Sequence, residues 1–161
     1  MSDLVARLLA VLDRGERLEP FGPALDLPAA YALQHAVSAA RMRRGARRVG
    51  RKIGFTNTTI WPIYDVHAPI WGPVWDTTHH PGAATLALGV LPEPRIEPEI
   101  VLRLARAPEP GMDASALAGC VDAIAPGFEI VQSPYPGWRF QAPDTVAAFA
   151  LHGALVTGDW T

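Results

Sequence analysis

The chain has 161 residues, 49% of them apolar and 19% charged, with a formal net charge of −2. Those values suit one ordinary globular domain and leave no global basic footprint for nucleic acid. Sixteen prolines, about twice the usual ~5%, favour short strands and loops over long helices.

The single Cys120 excludes an internal disulfide and suits a reducing compartment. No apolar run approaches the ~20 residues of a membrane span. Arg7 and Asp13 interrupt the apolar positions of the first segment, so it does not read as a signal peptide. The expectation is a cytoplasmic protein with no membrane partner.

Leu4, Val5, Leu8, Leu9, Val11 and Leu12 recur at helical spacing over residues 3–14, and Gly15 supplies a stop. A connector rich in proline and glycine follows, and a second helix is predicted from about Pro28 to Arg44. Its apolar side is Ala30, Leu33, Val37 and Ala40, and Gly45 ends it. Arg41, Arg43 and Arg44 suit the negative end of the helix dipole. With Arg47, Arg48, Arg51 and Lys52 they form a basic segment, read as a solvated helix end and loop in preference to a nucleic-acid site.

Val49 to Thr56 is predicted as a strand. Lys52 shares a face with Gly50 and Gly54, so no side chain flanks it on either side. Glycine in a strand often marks close approach by a ligand or another backbone, and an ordinary lysine packed along its stem is the competing account. Ala68 to Asp76 is predicted as a packed loop passing into a short strand. The adjacent His79 and His80 diverge in an extended chain and have no partner at zinc-type spacing, so they receive no metal. A short apolar run follows from Ala84 to Leu91.

Arg95 to Leu104 is the stretch with the most chemistry. Alternation places Glu97 and Glu99 on one face of a strand, with Ile96 and Ile100 on the other. Two readings stand at this point: exposed glutamates on a solvent-facing strand, or a buried like-charged pair that a cation or shared proton compensates. Pro98 lacks a donor and assigns the strand to an edge or a bulge. A helix is predicted over residues 114–124, capped by Asp113 or Ser115, with Pro126-Gly127 breaking it. Phe128 to Val131 then reads as a strand carrying Glu129, a third carboxylate in an apolar setting.

Several of these stretches, in this order, resemble one family. They are Ala30-Tyr31-Ala32-Leu33-Gln34, Gly50 to Thr56, Pro69-Ile70-Trp71-Gly72, Arg95 to Ile100 and Phe128 to Val131, with weaker support from Asp144 to Ala147 and Leu151-His152-Gly153. Together they resemble the 2-keto-4-pentenoate hydratases and related 2-oxo-acid decarboxylases of the fumarylacetoacetate hydrolase superfamily.

The resemblance implies an α+β fold: an N-terminal helical segment over 1–48, then the first part of a β-rich catalytic domain over 49–161. The latter corresponds to a mixed β-roll of the fumarylacetoacetate hydrolase C-terminal-domain type, incomplete at the C-terminus. It implies a carbon–oxygen lyase whose Mg²⁺ or Mn²⁺ is held by Glu97, Glu99 and Glu129, with Lys52 as the catalytic lysine. The implied substrate is a small 2-oxo acid, and the implied assembly a homo-oligomer. The expected activity is hydration of a 2-hydroxy-2,4-dienoate in aromatic catabolism. The alternatives are a 4-oxalocrotonate-type decarboxylase or a truncated, non-catalytic relative. Many hydratases of this family carry an aspartate in the loop where this chain has Ile70, and Asp65 and Asp76 are the nearest acidic substitutes, each read more simply as a loop or turn residue.

Overall fold

The computed structural model describes residues 2–82 and 85–161. Helix α1 (Ser2–Arg14) and helix α2 (Leu27–Arg43) occupy the two predicted helical stretches. Asp26 caps α2 by accepting a hydrogen bond from the Ala29 N–H at 2.8 Å, and Pro28 sits in the first turn, where its missing donor is harmless. Leu8, Leu9 and Val11 from α1 meet Leu33 and Val37 from α2 in one core, which also takes in Trp75 and Phe149. Gln34 is buried beside them, donating from Nε2 to the Trp71 and Val146 carbonyls, and so ties α2 to two later segments.

Strand β1 (Arg48–Gly54) pairs antiparallel with β2 (Ile70–Trp75) in a two-stranded sheet. β1 stops two residues short of the expected Thr56, because Phe55 takes a left-handed φ of 56° that no strand continues. A four-residue helix, α3 (Trp61–Tyr64), lies between the two strands. Of the apolar run starting at Ala84, Ala84 itself lies outside the described residues, while Leu88–Val90 forms a 3₁₀ turn.

The second sheet has the order β3-β6-β5-β4, with β3 (His79–Pro81), β4 (Arg95–Leu104), β5 (Val121–Val131) and β6 (His152–Thr157). β3 and β6 are parallel and the remaining pairs antiparallel. β4 is an edge strand, which explains why it tolerates Pro98; its register irregularity lies at Arg103/Leu104 instead.

The predicted helix over 114–124 is corrected. Helix α4 spans only Ala114–Ala118, capped by Asp113, and Val121 and Ile124 already belong to β5. The β4–β5 ladder runs from Leu104 opposite Val121 to Arg95 opposite Val131, and this long antiparallel pairing overrides local helix propensity. Pro126-Gly127 therefore lies within a strand instead of breaking a helix. Pro126 sits just outside the β6 ladder, which begins at Gly127, and its carbonyl accepts from the Gly158 N–H at 2.8 Å.

Helix α5 (Ala142–Ala147) follows, with Asp144 at 1% exposure accepting from the Phe21 and Gln141 backbone N–H groups. Asp144 is thus a fastener between α5 and the connector that precedes α2. The outer face of β4 and β5 exposes Ile96, Ile100, Leu102, Ile124 and Phe128.

Candidate metal centre

Strand geometry delivers the three carboxylates to one face. Glu97 pairs directly with Glu129 across the β4–β5 ladder, and Glu99 pairs with Gly127, which puts no side chain between them. One oxygen from each of Glu97, Glu99 and Glu129 can be chosen so that all three lie within 4.8 Å of one another. Ile96 and Ile100 turn the other way and are exposed, as the alternation requires. Glu97 is exposed and Glu99 half-buried, whereas Glu129 keeps only 2% of its surface.

Two cationic or donor groups flank Glu129. Lys52 Nζ lies 2.7 Å from Glu129 Oε2, and His152 Nδ1 lies 2.7 Å from Glu129 Oε1. The Lys52 side chain is 12% exposed and that of His152 1%. A carboxylate only accepts, so His152 Nδ1 carries a proton. Burial alone would raise the Glu129 carboxyl, but the His152 hydrogen bond and the Lys52 charge hold it below the ordinary glutamate value. Glu99 moves the opposite way: burial and the Glu129 charge raise it, with a further push from Glu97, against the lowering pull of Lys52.

The donor set fits a hard divalent cation. It consists only of carboxylate oxygens, and the Glu129 and Glu97 charges that add to burial in raising Glu99 are a repulsion a cation would cancel. From β1, Lys52 pairs with Glu129 and its charge also acts on Glu99.

Ile70 occupies the position where the loop aspartate was expected, at 5% exposure in an apolar cluster with Ala30, Val146 and Ala150. Asp65 pairs with the exposed His67, and Asp76 accepts from the Arg47 backbone N–H and Nε. Both are engaged in loop and turn contacts, as their simpler reading held. His79 and His80 lie on β3, where His79 Nε2 is 2.9 Å from the Thr157 hydroxyl.

His152 is the residue that sequence reasoning left without a role. A histidine opening the apolar run His152 to Val156 needs a buried polar partner, and that was the available signal. Its second ring nitrogen, Nε2, lies 2.8 Å from the Thr78 hydroxyl.

No protein-family model matches the chain. It is 32% identical over 137 residues to a 4-oxalocrotonate decarboxylase from Pseudomonas sp, a match covering 85% of this chain and 54% of that protein. It is 33% identical over 137 residues to a 2-keto-4-pentenoate hydratase from Paraburkholderia xenovorans, covering 84% of this chain and 51% of the relative. The chain is a relative of these hydratases and decarboxylases. A 2-hydroxyhexa-2,4-dienoate hydratase from Comamonas testosteroni matches at 30% over 158 residues, 94% of this chain and 60% of its own length. The chain thus spans about half the length of the curated relatives it matches.

The fold is that of a solved 4-oxalocrotonate decarboxylase from Pseudomonas putida G7, described as complexed with magnesium and adipate. The TM-score is 0.90 at 24% identity, over 97% of this chain and 61% of the solved one. Mixed α+β architecture is therefore shared with that enzyme.

Proposed function

We propose that this chain carries the metal centre of a lyase acting on small 2-oxo acids, with hydration of a 2-hydroxy-2,4-dienoate as its reaction. The observation that carries the proposal is the convergence of Glu97, Glu99 and Glu129 within 4.8 Å, with the Lys52 amine on Glu129. Hydratase-named relatives at 30–33% identity support the reaction class. The magnesium described for the decarboxylase of the same fold, and the calcium of a second structure of it, support a divalent ion here, Mg²⁺ or Mn²⁺.

In this reading Glu97, Glu99 and Glu129 hold the cation, which when bound supplies positive charge to stabilise a developing enolate oxygen. Lys52 approaches the same face from β1 and moves a proton at Nζ as general acid–base. Glu129 orients that amine through Oε2, and burial around Lys52 limits its contact with bulk water. Ile70 places an apolar side chain beside Gly54 on the Lys52 face, so proton transfer there rests on Lys52 without a carboxylate at position 70.

Decarboxylation of a 4-oxalocrotonate-type diacid is the second reading, favoured by the 32% identical decarboxylase. The proposal includes a homo-oligomer and a β-roll of the fumarylacetoacetate hydrolase type. The test is to incubate the purified chain with Mg²⁺ and 2-hydroxypenta-2,4-dienoate and follow loss of dienol absorbance, with Lys52→Met and Glu97→Gln as controls. Turnover that depends on both residues supports the hydratase. Metal-dependent consumption of the diacid alone transfers the site to the decarboxylase. Metal binding without any turnover assigns the chain to the non-catalytic alternative.

A further inference from the structure

The most unusual backbone in the molecule lies immediately before His152. Phe149, Ala150 and Leu151 all adopt left-handed φ values, 58°, 52° and 62°, and none is glycine. Single non-glycine residues visit this region occasionally; three in succession form a left-handed turn that L-residues disfavour at every step. The three are buried, at 1%, 4% and 7% exposure, so neighbouring packing holds the turn in place.

One of those neighbours is Gly72 on β2. A Cβ at position 72 would run into the Phe149 carbonyl and come within 2.9 Å of Ala150 Cβ. Gly72 is also the residue that pairs with Lys52 across the β1–β2 ladder. The left-handed turn therefore rests on the strand position opposite Lys52 and leads directly into His152. Both Lys52 and His152 then close on the same carboxylate, at 2.7 Å each, one per oxygen. Behind the imidazole, Thr78 bonds Nε2, and its hydroxyl is seated on the Trp75 backbone at the end of β2.

We infer that His152 is a positioning residue for the third carboxylate of the centre, aimed by the Phe149–Leu151 turn and backed by Thr78. This rests on the metal-centre reading given above. A glutamate side chain has three rotatable bonds, and the carboxylate plane of Glu129 is free to swing unless both oxygens are bound. Lys52 fixes Oε2, but it comes from the other sheet and is itself a long flexible chain. His152 fixes Oε1 with a ring that is rigid, fully buried and adjacent in the ladder, since it pairs with Val131 across β5–β6. A Glu129 oxygen held this way lies within 4.8 Å of oxygens of Glu97 and Glu99. The His152 side chain is 1% exposed and bonds Glu129 directly, so its action on the centre passes through Glu129.

The experiment is a metal titration of the 161-residue chain, read by Mn²⁺ paramagnetic resonance and Mg²⁺ calorimetry, independent of any turnover. His152→Leu keeps the bulk and removes the donor, and metal affinity falls about 10–100-fold. His152→Asn restores an N–H near the Nδ1 position, and affinity recovers most of that loss. Thr78→Val removes the backing hydroxyl and gives a smaller loss. Proton resonance supplies the signature a merely structural role would lack: a far-downfield imidazole N–H present in the unsubstituted chain and absent in both His152→Asn and Glu129→Gln.

Circular dichroism monitors folding in each variant. Should His152→Leu not fold, Thr78→Val and His152→Asn decide the question by their order of affinity. Equal affinity in all folded variants, with strong metal binding by the unsubstituted chain, overturns the positioning role alone. Failure of the unsubstituted chain to bind Mg²⁺ or Mn²⁺ overturns the metal centre and this role together.

Discussion

Glu97 and Glu129 face each other directly across the β4–β5 ladder, yet one is exposed and the other almost wholly buried. The sheet edge thus carries a carboxylate gradient from solvent to core within a single residue pair. Burial on the Glu129 side follows from β6 and His152 covering it; exposure on the Glu97 side follows from β4 being the last strand. In the proposed reading a cation would enter from the open side and be held from the closed one.

Removing the lysine leaves Glu129 buried without its nearest cation. For Lys52→Met we expect a stability loss of about 3–5 kcal/mol in metal-free buffer, the cost of stranding a buried charge. In a domain of this size each kcal/mol moves Tm by roughly 2–4 °C. Saturating Mg²⁺ should restore part of the loss by replacing the missing positive charge. Thermal melts with and without Mg²⁺ check this, and an unchanged metal-free Tm would contradict the importance of the pair.

Glu97→Gln acts on the exposed side. Its effect on metal-free stability should stay within about 0.5 kcal/mol, as for ordinary surface changes. Mn²⁺ affinity should fall by about tenfold or more, because a charged oxygen ligand is lost. Paired melting and Mn²⁺ titration separate the two effects; undiminished affinity would remove Glu97 from the ligand set.

Glu93 gives a pH-dependent expectation well away from the centre. Its carboxyl is held below the ordinary value of 4.5, first by the Gly137 backbone N–H and then by Arg17. A depressed folded value means the unfolded chain takes up the proton more readily. The stabilisation is therefore complete well above pH 4.5 and is lost as pH falls through the folded value. Glu93→Gln should flatten this part of the acid limb and lower Tm at neutral pH more than at acid pH. Parallel acid limbs in the two proteins would refute the assignment.

Gly72→Ala tests the contact between β2 and the left-handed turn. The new methyl would meet the Phe149 carbonyl and Ala150 Cβ first, and both are backbone-anchored. Overpacking of this kind costs about 1–3 kcal/mol. Because the turn leads into His152, metal affinity should fall alongside stability. Denaturant melts with a Mn²⁺ titration of the folded variant check both, and a loss of stability at unchanged affinity would uncouple the turn from the centre.

Much of this centre was legible in the chain. Alternation alone put Glu97 and Glu99 on one face, and of the two settings Pro98 suggested, an edge or a bulge, the edge is the one found. The glycines on either side of Lys52 were read as marking close approach by a ligand or a backbone; they lie instead beside the Val74 and Ile70 side chains, and it is the Lys52 amine that reaches Glu129. What alternation could also have revealed was β5: from Val121 to Glu129 its buried positions recur at every second residue, but a cap at Asp113 or Ser115 and the spacing of Leu117, Val121 and Ile124 pointed to a longer helix. The pairing that decides the matter comes from residues some twenty positions upstream, outside any local window. The left-handed turn is harder still, since nothing in Phe149-Ala150-Leu151 favours positive φ. Tertiary packing makes it tenable, with Phe149 and Leu151 in one apolar cluster, Ala150 in another, and Gly72 against the turn.

Among the described residues the two sheets share no backbone ladder; β1–β2 and the four-stranded sheet are separately hydrogen-bonded. The path from Lys52 to Gly72, through the turn to His152 and back by Glu129 to Lys52 is nonetheless a closed ring of contacts. In mechanical terms Glu129 is a rivet joining two plates. Its ionisation or occupancy should set how freely the plates slide, so amide exchange in β1 and β2 should slow when a divalent ion is added, although none of their backbone hydrogen bonds touches the centre.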